Sequence, residues 1–178
     1  MSRLVKLLTV LVVALSSPLF LSPSALAADA PCQPGFDATT KLFTAAVHSY
    51  TNETLPGGRS SSGEAIYVNG GIYINLRGQW IHSKMTTQDM LKLEQENIRN
   101  SKVSCRYLHE ESVNGEVTSL YMVHSENEGV REDAQTWISK AKGLPVRTEE
   151  DVDSGDGDKK HISIRYEYNH VQAPAGVQ

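Results

Sequence analysis

Cysteine, histidine and grouped carboxylates are the side chains here with the most chemistry in them, and each grouping is incomplete. His109-Glu110-Glu111 offers an imidazole and two acids but lacks the second histidine of a helical zinc motif. On a strand, moreover, adjacent side chains face opposite ways. Cys105 and His124 fall on facing strands of a predicted hairpin, where they would offer a thiolate and an imidazole unless the cysteine is bonded. Asp151, Asp153, Asp156 and Asp158 resemble a calcium loop. In that register, however, Asp156 stands where glycine belongs and Ile162 stands where a bidentate glutamate is required, so the run reads as a solvated hairpin turn. There is no G-x-S-x-G elbow, no glycine-rich phosphate loop leading into a helix, and no recognisable Ser/His/Asp arrangement. The expectation is a protein that is not an enzyme, with no catalytic residues, no metal and no cofactor. Asn52-Glu53-Thr54 is a glycosylation sequon, which matters only in a eukaryotic secretory pathway.

The segment Met1 to Ala27 has the three parts of a secretory signal peptide. Arg3 and Lys6 supply the positive start, Leu7 to Leu21 is apolar but broken by Ser16, Ser17 and Pro18, and Ala25-Leu26-Ala27 places small residues for cleavage after Ala27. A retained anchor would need an unbroken apolar run of about 20 residues, and Asp29-Ala30-Pro31 ahead of Cys32 does not suit lipid attachment. The expected product is residues 28–178, a single domain in the periplasm or secreted and not membrane-spanning after cleavage. Losing Arg3 and Lys6 takes the formal net charge from −4 to −6, and the remaining basic residues form no cluster longer than Lys159-Lys160. Nucleic acid and anionic membrane surfaces are therefore not expected partners. Cys32 and Cys105, the only cysteines, both lie in the exported part. An even count in an oxidising compartment predicts a disulfide, with a buried free thiol or a thiolate ligand as the alternatives.

Hydrophobic periodicity supplies the elements that would position these groups. From Ala134 to Tyr168 the pattern reads as three antiparallel strands, AQTWIS, LPVRTEEDV and HISIRYEY, in the last of which Ile162, Ile164, Tyr166 and Tyr168 share a face. Asp37 is a candidate N-cap for a first helix ending near His48, followed by a strand from Ser49 to Leu55. EAIYVN, IYINL and QWIHS are three short strands, with Asn69-Gly70 a strong hairpin signal and Ile72, Ile74 and Leu76 on one side. Thr86 and Asp89 predict a capping box for a helix from Thr87 to Asn100. Val103–Val113 and Glu116–Ser125 form a hairpin about Asn114-Gly115, whose two-residue turn would set Cys105 opposite His124, Tyr107 opposite Met122 and His109 opposite Leu120. The fold class is α+β: a curved antiparallel sheet of about nine strands, an unclosed half β-barrel, with two helices packed on one face.

This element order, together with Trp137-Ile138, Gly143-Leu144-Pro145, Arg147, Glu149 and the closing Tyr166-Glu167-Tyr168, resembles the periplasmic lipoprotein-carrier superfamily of LolA-like, LolB-like and LppX-like proteins. The motif resemblance covers about 40 residues near the C-terminus, and Ser139 stands where the family often has an aspartate. It implies a LolA-like domain over residues 28–178 and a binding or carrier function for an apolar ligand, a lipid or acyl chain, held between helices and sheet. The expected lining is Leu91 and Ile98 from the second helix with Ile72, Ile74 and Leu76 from the meander, and Trp80, Leu120 and Met122 from neighbouring strands. The alternative is an envelope protein-interaction or assembly module with a protein partner and no small-molecule ligand.

Overall fold

Tight turns set most of the sheet. The structure, a computed structural model, describes residues 32–155 and 159–177. The predicted leader, Met1 to Ala27, lies outside the described residues, as do Asp156 and Asp158 of the acidic turn. Four connections are two-residue turns with both central residues in the left-handed region: Asn69-Gly70, Arg77-Gly78, Asn114-Gly115 and Glu128-Gly129. Such primed turns match the twist of the strands they join and so fix strand register. The last of them, Glu128-Gly129, carries no asparagine or aspartate to announce it, and it makes two strands longer than the alternation alone suggests.

The elements are α1 (Gln33–Thr44), β1 (Val47–Thr54), β2 (Ser60–Val68), β3 (Gly71–Leu76), β4 (Gln79–His82), α2 (Thr87–Asn100), β5 (Lys102–Val113), β6 (Glu116–Asn127), β7 (Val130–Ser139), β8 (Pro145–Asp153) and β9 (Lys159–Glu167). All nine strands belong to one sheet in the order β4-β3-β2-β1-β9-β8-β7-β6-β5. Every neighbouring pair is antiparallel. The sheet does not close on itself: β4 and β5 are its two edges, and α2, which joins them in sequence, must cross from one edge to the other.

Two expectations need correction. The first helix starts at Gln33, not after Asp37, with Pro34 in its first turn, where a missing N–H costs nothing. Asp37 sits inside it and accepts a hydrogen bond from the Gln33 amide at 2.8 Å. The helix therefore ends earlier, at Thr44, and β1 begins at Val47, which is fully buried. In the β5–β6 hairpin the predicted register holds from the turn as far as His109 opposite Leu120, and then a bulge at Leu108 shifts it by one. Beyond the bulge Tyr107 faces Tyr121, Cys105 faces Val123 and Ser104 faces His124, so the cysteine and the histidine are not partners.

The second helix starts as expected. Thr86 Oγ1 accepts from the Asp89 N–H at 3.1 Å while the Asp89 carboxylate accepts from the Thr86 N–H at 3.0 Å. Each end of the helix is tied down separately. The Thr87 N–H donates to the Gly70 carbonyl at 3.0 Å, and the Asn97 side chain accepts from Asn127 at 3.3 Å. α1 packs against α2, β7 and β8, on the same face of the sheet. Its N-terminus is held by the Cys32–Cys105 disulfide, Cα to Cα 5.1 Å, to the edge strand β5.

Candidate functional site

Pairing decides which residues can meet beneath the helices. The ladders place Tyr67 beside Ile72 and Ala65 beside Ile74, and carry the same face through Ser49 to Tyr166 and through Thr51 to Ile164 and Thr148. This is the inner, helix-covered side. Phe43 of α1 meets the Tyr67 ring edge-on, centroids 6.3 Å apart. Burial raises the Tyr67 phenol and pushes that of Tyr166 up to about 12, so both stay neutral dipoles in the inner layer.

Two spaces open on this side. The larger, about 1070 Å³, has a floor of Ala65, Tyr67, Ile72, Ile74 and Leu76, with Met85 reaching in from the loop before α2 and Met90 from its first turn. Its rim is polar, with Ser61, Ser62, Asn75, Gln79 and Arg77. The smaller, about 240 Å³, lies under the two helices between Phe36, Ile98, Val103, Val123, Ala134 and the disulfide, and it also receives Glu94, Glu132 and Glu150.

Among the predicted lining residues, Ile72, Ile74 and Leu76 therefore share the larger space, and Ile98 lies in the smaller. Leu91 is half-buried on α2 and lines neither. Trp80, Leu120 and Met122 are a correction, because they occupy the opposite face of the sheet. Trp80 pairs with Asn75, out of phase with Ile74; Leu120 pairs with Trp137; Met122 pairs with Gln135 and Arg106. The outer positions have company of their own. Trp80 meets the His48 ring at 5.9 Å, and Leu120 and Trp137 are buried while Arg147 lies over the indole at 4.9 Å. Sequence reasoning missed Ala65, Tyr67 and Met85, although the Asn69-Gly70 turn already implied that Tyr67 and Ala65 pair with Ile72 and Ile74.

Three of the histidines hydrogen-bond acids along the strands. His48 bonds Glu64 at 3.1 Å, His124 bonds Asp133 at 2.8 Å, and His161 bridges Asp151 at 2.8 Å and Glu149 at 2.9 Å. No group of three or more His, Cys, Asp or Glu side chains among the described residues could hold a metal ion. None of the described helices is long and apolar enough to cross a membrane.

No family model matches the chain, and no curated protein matches it. Solved structures to which it is similar include LprF from Mycobacterium bovis, at 10% identity over 80% of this chain and 94% of that one, with a TM-score of 0.43. MucB in complex with MucA(peri) shares 13% identity over 82% of this chain, which spans 60% of MucB, at a TM-score of 0.46. A putative outer membrane lipoprotein-sorting protein domain from Vibrio parahaemolyticus shares 9% identity over 76% of this chain and 92% of that one, at a TM-score of 0.28. The class of the fold is defined by the chain's own topology: an unclosed nine-strand antiparallel sheet with two helices over one face, the architecture that the resemblance to lipoprotein carriers implied.

Proposed function

We propose that this chain, exported by a leader over residues 1–27 and folded as one domain over 28–178, binds or carries an apolar ligand, a lipid or an acyl chain, between its helices and its curved sheet. The observation that carries the reading is the open space of about 1070 Å³ floored by Ile72, Ile74 and Leu76. It is of the size that small-molecule sites occupy, and its wall combines an apolar floor with a polar rim. Two of its lining residues keep apolar side chains in water, Leu76 at 54% exposed and Met85 at 37%, and Ile81, which pairs with Ile74, is 44% exposed beside them. Grouped exposed apolar residues cost solubility and mark places where something binds. The Cys32–Cys105 disulfide supports the exported reading, since such bonds persist in oxidising compartments.

Ile74→Trp tests it. If the space holds ligand, the larger ring fills it, uptake of a fluorescent fatty acid falls by at least tenfold, and the melting temperature stays near that of the unaltered chain. If Ile74 instead packs in a dry core, the substitution costs about 1 to 3 kcal/mol by overpacking and the unaltered chain takes up no probe. That second result would favour the interaction module, for which β5 offers a specific feature. It is a twelve-residue strand at the edge of the sheet, with Tyr107 about half exposed, and such an edge accepts an added strand from a partner.

A further inference from the structure

A helix that lies on a sheet is expected to turn apolar side chains inward, and α2 departs from that rule at one position. Past its first turn, its half-buried residues recur at helical spacing as Leu91, Glu94 and Ile98, while Lys92, Leu93, Gln95 and Glu96 are exposed. The middle of the inner stripe is thus a carboxylate, and it enters the space of about 240 Å³ under the helices together with Glu132 of β7 and Glu150 of β8. We infer that the seating of α2 on the sheet is proton-dependent: Glu94, facing Glu132 and Glu150, loosens the helix when these groups are ionised and lets it settle when they take up protons. This rests on the reading of the helix-covered side as a ligand site, for which α2 would then be the pH-controlled cover.

The surroundings contain little to offset the charge. α1 and the Cys32 that precedes it contribute Cys32, Gly35, Phe36 and Thr39 to this space and no ionisable group, the Asp37 and Lys41 of the helix being exposed. β5 gives Val103 and the bonded Cys105, which does not titrate. β6 gives Tyr121 and Ser125, whose hydroxyl donates to Glu132 at 3.1 Å. The cation on this face is Lys160 of β9, which is already paired with Glu53 of β1 at 3.6 Å. Tyr166 and Tyr67 remain neutral. Burial, and then the Glu132 charge, raise the Glu94 carboxyl above the ordinary glutamate range, and the same two causes raise that of Glu150 against the opposing pull of Lys160. An acid whose folded pKa is raised binds its proton more tightly when folded, so its contribution to stability grows as pH falls through the folded value and is absent above it. The capping carboxylate Asp89 is shifted the other way, downward by its bonds to Thr86, so it stays ionised at pH 5 and the start of the helix does not change over the same range.

Hydrogen–deuterium exchange of the full exported chain at pH 7.5 and pH 5, corrected for intrinsic rates, reads the seating directly, with β3, which carries none of the three carboxylates, as the internal control. Protection of residues 91–100 should rise severalfold at pH 5 relative to β3. Glu94→Gln should show the protected level already at pH 7.5 and lose the pH response. Glu96→Gln, on the exposed side of the same helix, should behave as the unaltered chain does. Equal α2 protection at both pH values, or a Glu96→Gln chain that also loses the response, overturns the inference. Uptake of N-phenyl-1-naphthylamine, neutral at both pH values, separates this from the carrier reading. If α2 shows the pH response but the dye never binds, the carrier reading fails and the proton-dependent helix stands. If the dye binds without an α2 response, the reverse holds.

Discussion

His161 shows what a single side chain contributes here. Its two ring nitrogens reach Asp151 and Glu149, and the bond to Asp151, then that to Glu149, raises its pKa above the usual histidine value although partial desolvation opposes them. A histidine raised on folding stabilises fully below its unfolded pKa, and the gain is lost as pH rises through the folded value. The residue is largely exposed, so screening keeps the effect small. His161→Asn should therefore lower stability by less than about 1 kcal/mol at pH 6 and by nothing measurable at pH 9, as read by urea denaturation at the two pH values. Individual residues were also where the sequence was most and least legible. Cys32 and Cys105 pair as their even count implies. Trp80, Leu120 and Met122 are as apolar as Ile72 and Ile74, and hydrophobicity alone cannot tell which side of a sheet a side chain takes. Pairing tells it, and for Trp80 the Arg77-Gly78 turn already set the partner as Asn75.

Elements were easier to read than faces. The strands of the meander and the start of α2 follow from turn and cap chemistry that acts within four residues of chain: a left-handed Asn69-Gly70 pair, and a threonine three residues before an aspartate. What local chemistry does not carry is the reach of an element set by distant partners. α1 begins at Gln33 because the preceding Cys32 is bonded to β5, and the Leu108 bulge re-aims β5 so that Cys105 reaches that partner instead of lying across from His124. Ser139 illustrates the same limit. It is 1% exposed, its hydroxyl donates to Glu116 and accepts from the Lys142 N–H at 3.0 Å, and so it closes the β7–β8 turn from within. For α2 the cap is the local determinant. Thr86→Ala removes the acceptor for the Asp89 N–H and should cost about 1 kcal/mol in a denaturant titration. The loss should concentrate in the exchange protection of the first turn of the helix, which carries Met90 to the larger space.

Across the whole molecule, the pairing of β1 with β9 holds the two halves together. Remove it and the sheet becomes β4-β3-β2-β1 on one side and β9-β8-β7-β6-β5 on the other. Ile164 lies in the middle of that seam, opposite Thr51 on one side and Thr148 on the other. Proline at this position deletes a ladder donor in a central strand and should abolish the cooperative transition in a thermal melt. Ile81→Pro, in the short edge strand β4, should leave that transition in place at a reduced midpoint.

The seam also sets the order in which the molecule is assembled. β9 is the last-made of the nine strands yet occupies the centre of the sheet, so until it emerges both β1 and β8 present unpaired backbone edges to their surroundings. Open strand edges invite pairing with other chains, and contacts between segments far apart in sequence form slowly. A newly made chain thus has two self-pairing halves waiting for one strand to join them, and its vulnerability to aggregation ends when Thr51 finds Ile164.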